Sequence, residues 1–125
     1  MLSHVSVGVR DLAKSRRFYD AALEPLGYKC QFESAEALGY GATTPEFWLL
    51  AVKHPVSPNN ESGLHFCFDA TRRAAVNAFH RAAIGAGGRD NGKPGPRKDY
   101  GDDYYAAFVA DPDGYRLEAY TISAQ

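Results

Sequence analysis

The first strongly patterned stretch runs from Leu2 to Val9, where Val5, Val7 and Val9 alternate with His4, Ser6 and Gly8. A period of two is the mark of a half-buried strand. Asp11 follows as a candidate helix N-cap, and Leu12, Ser15, Tyr19, Ala22 and Leu23 fall on one helical face. That helix should stop at Leu26-Gly27, where glycine can adopt the left-handed cap. Three short strands are expected at about 28–33, 36–42 and 46–53. Residues 54–62, with His54, Pro55, Pro58, Asn59 and Asn60, read as a connecting loop.

The pattern then starts again. Leu64, Phe66 and Phe68 alternate with His65, Cys67 and Asp69; Thr71 is the expected N-cap, and Val76, Phe79 and Ala83 form a helical stripe ended by Gly87-Gly88. Residues 90–103, rich in Gly, Pro, Lys and Asp, read as a mobile loop. Tyr104 to Ala110 is a strand, Asp111-Pro112-Asp113-Gly114 a turn and Tyr115 to Ile122 the last strand. A shift of 61 places His4 on His65, Phe18 on Phe79, Gly27 on Gly88 and Ala21-Ala22 on Ala82-Ala83, while Phe47 to Val52 lies against Tyr115 to Tyr120. The chain therefore reads as one domain, 1–125, made of an internal repeat, 1–60 and 61–125. The fold class is α+β: tandem βαβββ modules forming curved mixed sheets around a cavity, each with its helix on the outside.

Composition narrows the function classes. The 14 Lys+Arg against 15 Asp+Glu leave a net charge of -1, which does not suit a protein that neutralises nucleic-acid phosphates. No apolar run approaches the length a membrane helix needs. The start has no basic region followed by an apolar core, so no signal peptide is expected. The two cysteines, Cys30 and Cys67, lie in alternating stretches without the spacing of a zinc knuckle or redox pair, and are expected as buried, reduced thiols in a cytoplasmic protein.

Strand parity then assigns chemistry to the concave face. If the valines and phenylalanines of each module's first strand face the helix, His4 and His65 point into the concavity. If Leu117 and Ala119 face the helix, Arg116, Glu118 and Tyr120 point inward. Two neutral imidazoles and one carboxylate form a facial set that binds Fe(II), Mn(II), Ni(II) or Zn(II) and leaves positions open for substrate. A buried triad that only hydrogen-bonds is the competing reading. Of the remaining histidines, His80 is expected to face solvent and His54 lies in the loop. Trp48 points inward by parity, one of Tyr104 and Tyr105 must do so, and Arg97 and Lys98 sit in the expected mobile loop.

The segment His4-Val-Ser-Val-Gly-Val-Arg-Asp-Leu with Phe18-Tyr19, the Gly63-Leu-His65-Phe strand and the closing Asp111-Pro-Asp-Gly-Tyr-Arg-Leu-Glu118 motif together resemble the vicinal oxygen chelate superfamily. That superfamily contains glyoxalase I, bleomycin-resistance proteins and type I extradiol dioxygenases. The resemblance covers about residues 2–122 and implies paired βαβββ units, a homodimer and a divalent metal held by His4, His65 and Glu118. Glu118 is also implied as a base if it leaves the metal. Glyoxalase I enzymes place a fourth ligand, a glutamate, at the position that is Leu50 here, so the three-ligand set is more similar to that of extradiol dioxygenases and fosfomycin-modifying thiol transferases. The implied function is a metal-dependent enzyme, of lyase/isomerase or dioxygenase type, on a small substrate chelated through adjacent oxygens. The alternative is a metal-free, bleomycin-resistance-like protein that binds a drug or other small molecule. Trp48, Leu50, Tyr104, Tyr105 and Arg116 are the candidate pocket residues. The binding partner implied is a small molecule, with no nucleic acid and no membrane.

Overall fold

A computed structural model describes residues 1–59 and 61–125. The first module runs β1 (Val5–Val9), α1 (Leu12–Leu23), β2 (Lys29–Glu33), β3 (Ala37–Gly41) and β4 (Phe47–Ala51). The second runs β5 (His65–Asp69), α2 (Arg73–Gly85), β6 (Arg89–Pro96), β7 (Tyr105–Ala110) and β8 (Arg116–Thr121). Each module folds into a four-stranded mixed sheet, in the orders β1-β4-β3-β2 and β5-β8-β7-β6. β1 lies parallel to β4 and β5 parallel to β8, and the other neighbours are antiparallel. The expected α+β architecture of two βαβββ modules with mixed sheets is present. Among the described residues no helix is long and apolar enough to cross a membrane.

Both helices form where capping and periodicity place them. The Asp11 side chain accepts from the Lys14 backbone N–H at 3.0 Å, closing the N-terminus of α1. Asp11→Ala should therefore lower stability by about 1 kcal/mol, read as a lower urea midpoint with an unchanged slope. After Leu23, Pro25 tightens the chain into one 3₁₀ turn, Glu24–Leu26, and Gly27 at φ 86° returns its N–H to the Glu24 carbonyl. The start of α2 differs from expectation. Its N-cap is Arg72, not Thr71, and makes no side-chain cap. The carboxyl-terminal segment takes that role: the Arg73 N–H donates to the Gln125 carbonyl at 3.0 Å, and Arg73 Nε donates to the Ser123 carbonyl at 3.1 Å.

A single apolar cluster joins the modules. Phe18, Tyr19, Ala22 and Leu23 of α1 and Val76, Phe79 and Ala83 of α2 are buried with Val9, Leu49, Val109 and Leu117 of the sheets. Phe47 meets Phe66 and Phe68 across the seam at ring separations of 5.5 and 5.2 Å. Around this apolar contact lies a polar one. The Tyr19 hydroxyl donates to Asp111 at 2.5 Å, the Arg10 backbone N–H donates to Asp113 at 3.1 Å, and the Tyr115 hydroxyl donates to the Gly8 carbonyl at 2.7 Å.

Further expectations fail in the second module. The segment read as a mobile loop, 90–103, contains most of β6, an edge strand paired with β7 through register shifts at Asp90/Gly92 and Gly92/Gly95. Its glycines and prolines mimic a loop, yet bulges on an edge strand accommodate both. Because β6 is ordered, His80 is not solvent-facing: its ring lies 2.9 Å from Asp90 with the side chain 14% exposed. Arg97 is likewise held, donating to the Lys93 and Gly95 carbonyls at 2.7 and 3.0 Å with its guanidinium over Phe108. The cysteines also differ. Cys30 is half-buried and Cys67 is exposed, because alternate residues of the edge strand β5 turn to its open side. The connecting loop is present as expected over the described residues, and residue 60 lies outside them.

Candidate functional site

β8 lies inside the second sheet, between β5 and β7. Leu117 and Ala119 are buried with the core, so Arg116, Glu118 and Tyr120 share the opposite, open face. The parallel register sets His65 beside Arg116 and Cys67 beside Glu118, and the antiparallel register sets Phe108 beside Glu118.

Glu118 is only 4% exposed. Its Oε1 lies 3.2 Å from His65 Nε2, and its Oε2 accepts from the Tyr104 hydroxyl at 2.5 Å. Tyr104 in turn stacks on Tyr120 with centroids 4.9 Å apart and meets Tyr100 edge-on at 5.3 Å. The carboxylate thus ends in two hydrogen bonds from a rigid aromatic wall and an imidazole. A cleft of about 370 Å³ opens onto this pair, walled by Tyr100, Tyr104 and Phe108, with Arg116 also in its lining. Burial, then the bond to Glu118, lifts the Tyr104 phenol well above its ordinary range, so it stays a neutral donor. Cys67 is exposed as a residue, but crowding around the thiol, with the Glu118 charge second, pushes it up to about 12. It is therefore a neutral thiol at neutral pH.

The structure thus brings His65, Glu118, Tyr104 and Arg116 to one cleft. It resolves the choice between the adjacent tyrosines: Tyr104 faces the open side. Tyr105 is off the cleft, a correction to its candidacy, because its hydroxyl donates to Asn77 on α2 at 2.7 Å and Arg73 lies 4.8 Å over its ring. His4 is not with the others. It precedes β1, is exposed, and its Nδ1 lies 2.7 Å from Ser3 Oγ. Trp48 and Leu50 sit on the open face of the first sheet. Trp48 packs against Phe32 at 5.3 Å and over Gly39, where a Cβ would come within 3.0 Å of its ring. Among the described residues, no three His, Cys, Asp or Glu side chains of one copy are grouped to hold a metal. Phe108, Tyr100 and Asn91 complete the cleft and were not among the sequence candidates.

Two stacked βαβββ modules, with a carboxylate and an imidazole on an open sheet face, define a glyoxalase-like protein. The family profile of the Glyoxalase/Bleomycin resistance protein/Dioxygenase superfamily matches residues 1–119, and the chain belongs to that superfamily. Among solved structures it is similar to a glyoxalase/bleomycin resistance protein from Albidiferax ferrireducens, at 32% identity and a TM-score of 0.82 over 96% of this chain and 97% of that one. It shares its fold with the fosfomycin resistance protein FosX from Mesorhizobium loti, at 17% identity and a TM-score of 0.70 over 97% and 91% of the two chains. It also shares it with a glyoxalase I mutant from Zea mays, at 22% identity and a TM-score of 0.72, where it covers 95% of its own length and 45% of that chain. Comparison with curated proteins gives no match.

Proposed function

We propose that the protein is a metal-dependent enzyme of this superfamily, acting on a small substrate that presents two adjacent oxygens. In this reading His65 and Glu118 of one copy hold the metal with His4 of a second copy, in a homodimer. The observation that carries it is the buried Glu118 carboxylate with the His65 imidazole 3.2 Å away at the mouth of an open cleft. Removing a carboxylate from water costs several kcal/mol, which a divalent cation at that corner would offset. Nitrogen and oxygen donors suit Mn(II), Fe(II), Ni(II) and Zn(II), and two donors from one copy leave room for a third.

When bound, the metal would act as a Lewis acid on the chelated oxygens. The chain's own residues do the rest. Tyr104 fixes the Glu118 carboxylate through Oε2, which leaves Oε1 turned toward His65 and the cleft. Phe108 and Tyr104 exclude water from the flat side of the substrate. Glu118 is the group placed to take a proton if it leaves the metal.

Calorimetric titration of chelator-stripped protein with each of these metals tests the reading. Micromolar or tighter binding in the parent, weakened at least about 100-fold in Glu118→Ala, is expected. Equal binding by parent and variant would overturn it. A second reading, a metal-free small-molecule binder, is favoured by the tilted contact of Trp48 with Phe32, which leaves Phe32 46% exposed on the open face of the first sheet. That reading takes over if no metal binds and flat aromatic ligands quench Trp48 fluorescence.

A further inference from the structure

We propose that the cleft beside Glu118 selects a flat, unsaturated substrate carrying a carboxylate at the end opposite its chelating oxygens, and that Arg116 and Arg89 hold that carboxylate. The proposal rests on the reading of His65 and Glu118 as the chelating end. Arg116 and Glu118 lie two residues apart on one strand face, which separates them by roughly 7 Å, about the span of one substituted six-membered ring. The parallel register puts Arg116 directly beside His65. A guanidinium therefore stands next to the chelating corner without occupying it.

The cleft does not end at Arg116. A second cleft of about 370 Å³ continues from it, sharing Arg116 and Asn91 and adding Arg89 and Asn59. The carboxylate lining this extension is Asp90, and it is engaged: it lies 2.9 Å from His80 Nε2 and accepts the Gly92 N–H at 3.0 Å. His80 holds it below the usual carboxylate range. Asp90 stays ionised, so the described lining of the extension sets two guanidiniums against one carboxylate. Arg97, stacked 5.4 Å over Phe108, adds a third guanidinium behind the wall. A guanidinium offers five N–H donors in a planar fork, so Arg116 can bind a carboxylate while keeping a protein partner. The body of the slot is aromatic, with Phe108 across from Glu118 and Tyr104 locked between Tyr100 and Tyr120. Such walls favour a planar ring over a flexible chain.

The test compares two probes with the same diol, 3,4-dihydroxybenzoate and catechol, by calorimetry on metal-free and Mn(II)-loaded protein. The acid is expected to bind at least about tenfold tighter than catechol, as a charge-assisted fork contact gives. In the Arg89→Gln/Arg116→Gln double variant this gap should close, with the acid losing more affinity than catechol. Arg116→Lys, which keeps the charge but not the fork, should give an intermediate gap and serves if the double variant does not fold. Equal affinity for the two probes in the parent, a gap that survives the arginine changes, or no binding of either probe overturns the proposal. Failure of the metal reading looks different: Mn(II) then tightens neither probe, while the acid-to-catechol gap remains.

Discussion

His4→Ala and Glu118→Ala, each expected to lose tight metal binding as a pure protein, should regain about a quarter of the sites when the two are unfolded, mixed and refolded together. The arithmetic follows from where the residues lie. In one copy His65 and Glu118 share a cleft of the second module, whereas His4 precedes β1 in the first module and its ring meets Ser3. If the third donor crosses from a second copy, a mixed dimer has one site that lacks both donors and one that has all three. Random pairing makes half of the dimers mixed, and one of two sites in each is whole. Calorimetric stoichiometry on the refolded mixture reads that fraction directly. A mixture that stays at zero, while each variant folds and dimerises, would show that His4 and Glu118 serve the same copy, whereas tight metal binding by pure His4→Ala would show that His4 is not a donor. The consequence for mechanism is that activity would depend on protein concentration, since a dissociated copy keeps only two donors.

Much of the fold was legible because the periods are strong. The valine alternation of β1, the α1 stripe and the Gly27 cap are local features, and the structure contains them where the pattern places them. What was illegible depends on partners distant in sequence. β6 carries Gly92, Gly95, Pro94 and Pro96, so only its pairing with β7 makes it a strand. The N-cap of α2 shifted from Thr71 because residues 123–125 provide the acceptors. The tyrosine choice was open only while the hairpin register was unknown. With Ala110 opposite Arg116, counting outward puts Phe108 opposite Glu118 and Ala106 opposite Tyr120, so even-numbered residues of β7 face the cleft, and Tyr104 follows in step. The signal that could have found Phe108 is therefore the length of the Asp111–Gly114 turn. That turn also has a role no local pattern shows: its carboxylates reach across to the other module.

Those carboxylates carry the second large effect. The protein should lose about 2.4 kcal/mol of stability between pH 4 and pH 7.5 through Asp111 alone. Asp111 is 2% exposed, and burial, against the pull of hydrogen bonds from Tyr19 and the Tyr115 and Asp113 backbone N–H groups, raises its carboxyl to about 6, with the neighbouring Asp113 charge adding to the rise. The sign follows from proton counting. An unfolded chain ionises this group near its ordinary value of 3.8, while the folded one holds its proton until about 6. Between these values the folded state binds more protons, so its stability falls as pH rises and the loss is complete above the folded pKa. Asp111→Asn keeps an oxygen for the two backbone N–H groups but cannot ionise. The stability difference between parent and variant, from urea melts at pH 4 and 7.5, should thus shift by about 2.4 kcal/mol toward the variant at the higher pH. A pH-independent difference would show that the seam accommodates the charge at no cost. Because the Tyr19 hydroxyl joins α1 to this turn, the same titration bears on how firmly the modules are seated. The pH dependence of unfolding should therefore steepen in Tyr19→Phe, where Asp111 loses a hydrogen bond that holds its carboxyl down.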